Sequence, residues 1–179
     1  MKKILVFSGS NSSTSINQML AEYTSTLLEN CEVRIIELKE YAAPLYCADI
    51  ENNEGIPKIM LELNDLFNDF DGFIISLPEY NGSLTPVFKN MVDWISRTDK
   101  AVFKKKPLLL MSTSVGEMAG RTNLKHVIEI MPRWGGNVVS TYSLPEFNKN
   151  MDVEISELKN KEEKEKLVLA VRKFENSFE

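Results

Sequence analysis

Short apolar runs alternate with longer segments of helical period along almost the whole chain, and this alternation limits the possible folds more than any other feature. Lys3 to Phe7 is the first β-type run, and it ends at Ser8-Gly9-Ser10. Ile16, Met19, Leu20, Tyr23, Leu27 and Leu28 then recur with helical spacing. Val33 to Leu38 reads as a second strand. Lys39 to Gly55 carries Pro44, Asn52 and Asn53, shows no clear period and reads as a long connection. Ile56, Ile59, Met60, Leu63, Leu66, Phe67 and Phe70 mark the next helix, Asp71-Gly72 ends it, and Phe73 to Leu77 is a third strand. Thr85-Pro86 opens another helix, with Thr85 as N-cap, Pro86 in the first turn, and Val87, Met91, Trp94 and Ile95 as its buried stripe. Leu108 to Met111 follows Pro107 as a fourth strand. Leu124, Val127, Ile128 and Met131 predict a helix stopped by Pro132 and Gly135-Gly136, and Val138 to Tyr142 a fifth strand. The tail from about Ile155 to Phe178 reads as a terminal helix, with Leu167, Val168, Val171, Phe174 and Phe178 as contacts and KNKEEKEK as a solvated face or frayed joint.

Strands that alternate with helices must lie parallel, with helices on both faces, because each connection has to cross over the sheet. Five of them suit the flavodoxin-like order 2-1-3-4-5, a doubly wound α/β fold in three α/β/α layers with its switch point between strands 1 and 3. The chain has 179 residues, 43% of them apolar, and no repeat, low-complexity stretch or linker, so one domain over 1–179 is expected.

In such a sheet ligands bind beyond the carboxyl ends of the strands, at the switch point. The loops leaving strands 1, 3 and 4 share that rim, and all are rich in Gly, Ser, Thr and Asn: Gly9 to Asn17, Pro78 to Ser83 and Ser112 to Gly120. In the first, Gly9 permits a tight turn, and Ser10, Ser12, Ser13, Thr14, Ser15 and Asn17 offer donors where a helix begins. That helix end carries unpaired N–H groups and about half a positive charge, which suits a phosphate. The same residues would also serve a plain helix cap, but six donors exceed what one cap uses. Asn81-Gly82 favours a turn whose exposed amides can face the polar edge of a planar ring, and Tyr80 can cover such a ring. Neither GxGxxG nor GxxxxGK[ST] occurs, which disfavours a dinucleotide Rossmann site and a P-loop.

A net charge of −5 speaks against a nucleic-acid surface. No apolar run has the length of a membrane span, and the run after Lys2-Lys3 is too short for a signal peptide. Cys31 and Cys47 have no metal-ligand spacing and read as free thiols in a reducing cytoplasm. His126 is the one histidine and lies in a helical segment, so neither a zinc site nor a Ser-His-Asp site is expected, and Glu79 reads as a loop-fixing residue. Lys104-Lys105-Lys106 reads as a solvated charge run, and Trp94 and Trp134 as core or interface.

Ile4 to Ser10 with Ser15 and Asn17, then Leu77 to Ser83, then Ser112 to Gly120, together resemble the NADPH-dependent FMN reductase family, which includes quinone, azo-dye and chromate reductases. The likeness runs over about Met1 to Tyr142, and PEYNGS before a Pro-started helix is its most specific piece. It implies an FMN-dependent oxidoreductase, with NADPH or NADH as donor and a small acceptor such as a flavin or quinone. By that resemblance Ser10, Ser12, Ser15, Ile16 and Asn17 surround the FMN phosphate. Pro78, Glu79, Tyr80, Asn81 and Gly82 line the ribityl chain and ring, and Ser112, Ser114 and Gly116 touch the ring's other side. The family's usual phosphate-loop arginine falls at Ser12, and no Lys or Arg lies between Lys3 and Arg34. No protein side chain is assigned a catalytic role, because a flavin carries the chemistry itself. A flavodoxin-type electron carrier and a non-catalytic flavin sensor are the alternatives. The resemblance also implies a homodimer or homotetramer, and Phe88, Val92 and Trp134 look like surplus apolar surface near the rim for such a contact.

Overall fold

A computed structural model describes residues 1–178. Strands β1 (Lys2–Ser8), β2 (Cys31–Ile35), β3 (Gly72–Ser76), β4 (Pro107–Thr113) and β5 (Asn137–Leu144) form one sheet, in the order β2-β1-β3-β4-β5 with every pair parallel. The three inner strands are apolar almost throughout because both faces of the sheet are covered. Leu5, Phe7, Phe73, Ile75, Leu108 and Leu110 point to one face, under helices α3 (Lys58–Asn68), α4 (Pro86–Thr98) and α5 (Arg121–Ile130). Ile4, Val6, Ile74, Leu109 and Met111 point to the other, under α1 (Ile16–Ser25) and α7 (Lys161–Glu175). The first face is filled by aromatics: the Phe67 ring lies 5.1 Å from Phe73 and 5.8 Å from Phe103.

The doubly wound order expected from the alternation is the one observed. Several local expectations change. β2 stops at Ile35, and Leu38 opens a 3-10 turn, Leu38–Tyr41, whose leucine drops into the core. The long connection contains a helix, α2 (Ala48–Glu54). No α2 residue is buried, so α2 carries no apolar stripe to read. It is held by Glu51, which accepts from Arg97 Nε at 2.8 Å and from the Tyr46 hydroxyl at 2.9 Å. The Arg97 guanidinium, followed by that hydroxyl, holds the Glu51 carboxyl below the usual carboxylate range.

The tail is not helical from Ile155. After a single turn, α6 (Phe147–Asn150), strands β6 (Met151–Asp152) and β7 (Glu157–Leu158) form a small antiparallel hairpin. Helix α7 begins only at Lys161, where the Asn160 side chain caps the amides of Glu162 and Glu163. KNKEEKEK therefore holds Lys159, the Asn160 cap and the first six residues of α7, most of them exposed as expected of a solvated face. In α1 the apolar residue Met19 faces solvent, and Leu27 and Leu28 lie beyond the helix end.

Phe88 and Val92 are fully buried in the core of this one chain, so they supply no surplus surface for a subunit contact. Trp134 is partly buried, its ring 6.4 Å from Phe88, and Trp94 is buried with its Nε1 donating to Pro44 O at 2.7 Å. Of the three lysines before β4, Lys105 is exposed, but Lys104 and Lys106 are not simply solvated. Lys104 Nζ donates to Asn64 Oδ1 at 2.6 Å and to Asp99 at 2.9 Å. Lys106 Nζ donates to Phe67 O and Asn68 O, both at 2.8 Å, capping the carboxyl end of α3 where a cation offsets the helix dipole. No helix among the described residues is long and apolar enough to cross a membrane.

Candidate functional site

The carboxyl ends of β1, β3 and β4 lie side by side, and the three loops that leave them enclose an open cleft of about 270 Å³. The first loop must run close to its neighbours. Gly9 N donates to Ser76 O at 2.8 Å, and a Cβ at Gly9 would stand 2.9 Å from Leu77 Cδ2. Ser15 then caps α1, its Oγ accepting from Gln18 N at 3.2 Å. The first-turn amides of Ile16 and Asn17 have no intrahelical acceptor, and no acidic residue stands in that turn. Ser12 Oγ accepts from Thr14 N at 3.3 Å, and Ser10 Oγ accepts from Ser12 N at 3.1 Å. The result is a small concave surface of hydroxyls and free amides at a positive helix end, suited to an anion.

Asn17 lines the cleft and also ties its loops together. Its side chain is buried and points under the loop: Oδ1 accepts from Ser76 Oγ at 2.8 Å and from Thr113 N at 3.1 Å, while Nδ2 donates to Thr113 O at 3.1 Å. The amide ties the ends of β3 and β4 to the start of α1. Beside its backbone N–H, one hydrogen of its Nδ2 is left for a ligand.

In the second loop, Tyr80 and Ser83 exchange backbone hydrogen bonds of 2.9 and 3.1 Å around Asn81 and Gly82, which both have positive φ. That is the two-residue type I′ turn which Asn-Gly favours. Glu79 Oε2 accepts from Asn123 N at 2.9 Å, in the first turn of α5, and Asn123 Nδ2 donates to Pro78 O at 2.8 Å. Glu79 thus caps a neighbouring helix, in keeping with a loop-fixing role. The buried Asn123 Oδ1 has no partner among the described residues. In the third loop Ser112 Oγ donates to Ala119 O at 2.6 Å, and Gly116 O accepts from Glu146 N at 3.1 Å. This loop is pinned from below by the end of β5 and the residues that follow it.

Nine of the thirteen expected site residues line the cleft: Ser10, Ser12, Ser15, Ile16, Asn17, Pro78, Glu79, Tyr80 and Ser114. Asn81 and Gly82 sit outside the lining, at the exposed tip of their turn. Ser112 is buried beneath the third loop, and Gly116 also lies outside the lining. Thr14, Thr113 and Val115 line the cleft as well. Thr14 stands among the donors of the first loop. Thr113 and Val115 fall inside the third loop, but nothing local separates them from Ser112 and Gly116, because which residues turn inward depends on the anchorage to Ala119 and Glu146. No basic residue lines the cleft. Among the described residues no group of three His, Cys, Asp or Glu could hold a metal, and His126 is exposed on α5.

A doubly wound sheet with a hydroxyl-lined cleft at its switch point defines a flavodoxin-like mononucleotide-binding domain. The model of the NADPH-dependent FMN reductase family matches residues 2–149. A quinone reductase of Escherichia coli K12 is 31% identical over 130 residues, which cover 72% of this chain and 69% of that protein. A 2-hydroxy-1,4-benzoquinone reductase of a Burkholderia species is 31% identical over 127 residues, 70% and 67% of the two chains. The flavoenzyme FerB of Paracoccus denitrificans, an NAD(P)H:(acceptor) oxidoreductase, shares the fold with a TM-score of 0.79 at 22% identity, over 98% of this chain and 96% of that one. The chain belongs to the NADPH-dependent FMN reductase family. It is an FMN-dependent NAD(P)H oxidoreductase that serves small acceptors. The residues present fit the cofactor: free helix-start amides and hydroxyls suit one phosphate monoester, and the two ring-side loops offer polar and apolar surface, with the one carboxylate among them, Glu79, tied to the Asn123 amide.

Proposed function

We propose that FMN lies in this cleft with its phosphate on the first loop and its ring between the second and third, and that the acceptor is a quinone or a similar flat, reducible ring. The observation that carries the reading is the capped start of α1, where Ser10, Ser12 and Ser15 hydroxyls converge with the free amides of Ile16 and Asn17. Asn17 lies beside the phosphate, and its side chain also sets the spacing of the loops. Pro78, Glu79 and Tyr80 border the ring on one side, Ser114 and Val115 on the other. Asn81, Gly82, Ser112 and Gly116 act at one remove: the first two shape the turn, and the latter two hold the third loop. When bound, FMN supplies the redox chemistry, taking up two electrons from the nicotinamide donor and releasing them to the acceptor. The protein's part is to seat the phosphate, keep the ring-side loops rigid and leave one edge open. Exposed Tyr80 and Val115 give that edge apolar surface on which a flat acceptor can rest. The quinone reductases among its relatives support that acceptor class.

The chain works as one domain. A homo-oligomer is supported by the family resemblance and by the same exposed apolar edge, no longer by Phe88 or Val92. A cytoplasmic setting is supported by the two free cysteines, Cys47 being exposed. The test is the visible spectrum of the purified protein, with the released flavin identified, followed by NADPH and NADH oxidation with and without benzoquinone. The expected result is FMN, and turnover that depends on the quinone. Released FAD, or a yellow protein inert to both donors, would overturn the reading.

A further inference from the structure

The phosphate loop has two sides. Ser10 and Ser12 line the flavin cleft, and Asn11 between them lines a second cavity of about 310 Å³. Its floor is apolar and fully buried, made of Leu38, Met60 and Met91. Tyr41, Ala42 and Val87 form its sides, and Lys39 brings a cation to its exposed mouth. Lys39 is paired there with Glu37 at 2.6 Å, an exposed contact that an incoming anion can exchange at little cost. The wall is preformed. Asn90 accepts from Tyr46 N at 2.8 Å and donates to Pro44 O at 3.0 Å, and Trp94 donates to the same carbonyl at 2.7 Å. Together they strap the segment after the 3-10 turn onto α4.

We infer that this crevice receives the adenosine half of the NAD(P)H donor. The inference rests on the flavin assignment above. The open flavin cleft, about 270 Å³, offers no second chamber beside the flavin, so the donor's adenosine half lies outside it. Adenine is flat and apolar on its faces, which suits Tyr41 and the two thioethers. The pyrophosphate needs positive charge. The flavin cleft has only the α1 start, which the flavin phosphate takes, and no basic residue, whereas Lys39 stands at the mouth of the crevice. Because one loop forms a wall of both cavities, a donor can have its nicotinamide on the flavin side and its adenosine in the crevice.

The test uses the FMN-loaded protein and adenosine 5′-monophosphate as the probe. The expected result is binding of the probe by calorimetry, and inhibition that is competitive with NAD(P)H but not with benzoquinone. Ala42→Trp, which fills the mouth, should raise KM for NAD(P)H about tenfold and weaken the probe equally, with kcat and the flavin content unchanged. Lys39→Glu, on the surface, should raise the same KM several-fold without loss of flavin, and it decides the matter if the tryptophan variant does not fold. A flavin-loaded parent that binds no probe, or competition with the quinone instead, would overturn the inference. So would an unchanged KM in the variants. Failure of the flavin assignment looks different: the parent itself would then lack FMN.

Discussion

Ser15 occupies a position where two requirements meet, and one substitution separates them. Its Oγ caps α1 and lines the phosphate cleft. Aspartate and asparagine are as good as serine at an N-cap, so both replacements should keep the helix start, within about 0.5 kcal/mol of folding stability. Their effects on an anion differ. Loss of one hydroxyl donor to a charged group costs about 1.5–3 kcal/mol, and both variants share this loss. The aspartate adds repulsion: two unit charges about 5 Å apart at an effective dielectric near 20 interact by about 3 kcal/mol. The cleft is open to solvent, so screening reduces that figure, and a total of about 3 kcal/mol is a sensible floor, roughly a hundredfold in affinity. FMN titration by flavin fluorescence at low and high salt, with a thermal melt of each cofactor-free protein, is the assay. Ser15→Asp should bind at least about a hundredfold more weakly than the parent and regain part of the loss in high salt, and Ser15→Asn should fall between. If the two variants bind alike and like the parent while melting normally, the phosphate does not sit at the start of α1.

Ser12→Arg places a full charge and a bidentate fork where the family usually has an arginine, and should tighten FMN by about 1–2 kcal/mol in low salt, with the gain shrinking as salt rises. An unchanged affinity in the same titration would mean that Ser12 does not face the phosphate. Glu79→Ala leaves the Asn123 amide without its acceptor in a partly buried site and should cost about 1–3 kcal/mol in urea unfolding, with Glu79→Gln, which keeps an acceptor, losing less. The Lys104 ammonium, and after it the Ala101 amide, hold the Asp99 carboxyl below its ordinary 3.8. Its stabilisation is therefore full above that value and lost as pH falls through the lower folded pKa. Asp99 is 42% exposed, so the parent should exceed Asp99→Asn at neutral pH by no more than about 1 kcal/mol, and the gap should close in acid. A gap that widens in acid unfolding curves would contradict the assignment.

The strands and most helices were legible because their signals are local. A buried parallel strand must be apolar on both faces, and a helix on a sheet must repeat every three or four residues. From those periods came the strand order and, with it, the rim where the three polar loops meet. Thr85-Pro86 and Asn81-Gly82 were legible for the same reason, since a cap and a type I′ turn are set by one or two residues. What the chain did not disclose locally depends on long-range contact. α2 leans only Ile50 on the core and is held by Arg97, 46 residues away, so no periodicity marks it. The tail hairpin is two residues per strand, too short to alternate. Phe88 and Val92 belong to a stripe wider than their spacing suggested, because α4 packs against both the sheet and its neighbouring helices. The donors at the rim could be named from sequence, but their allocation could not. Asn17 is drawn inward by Ser76 and Thr113, and Ser112 by Ala119, while Ser10, Ser12 and Ser15 stay on the cleft. Composition can place polar groups at a rim; only the packing of β3, β4 and α1 against one another decides which of them are already satisfied within the protein and which remain free for a ligand.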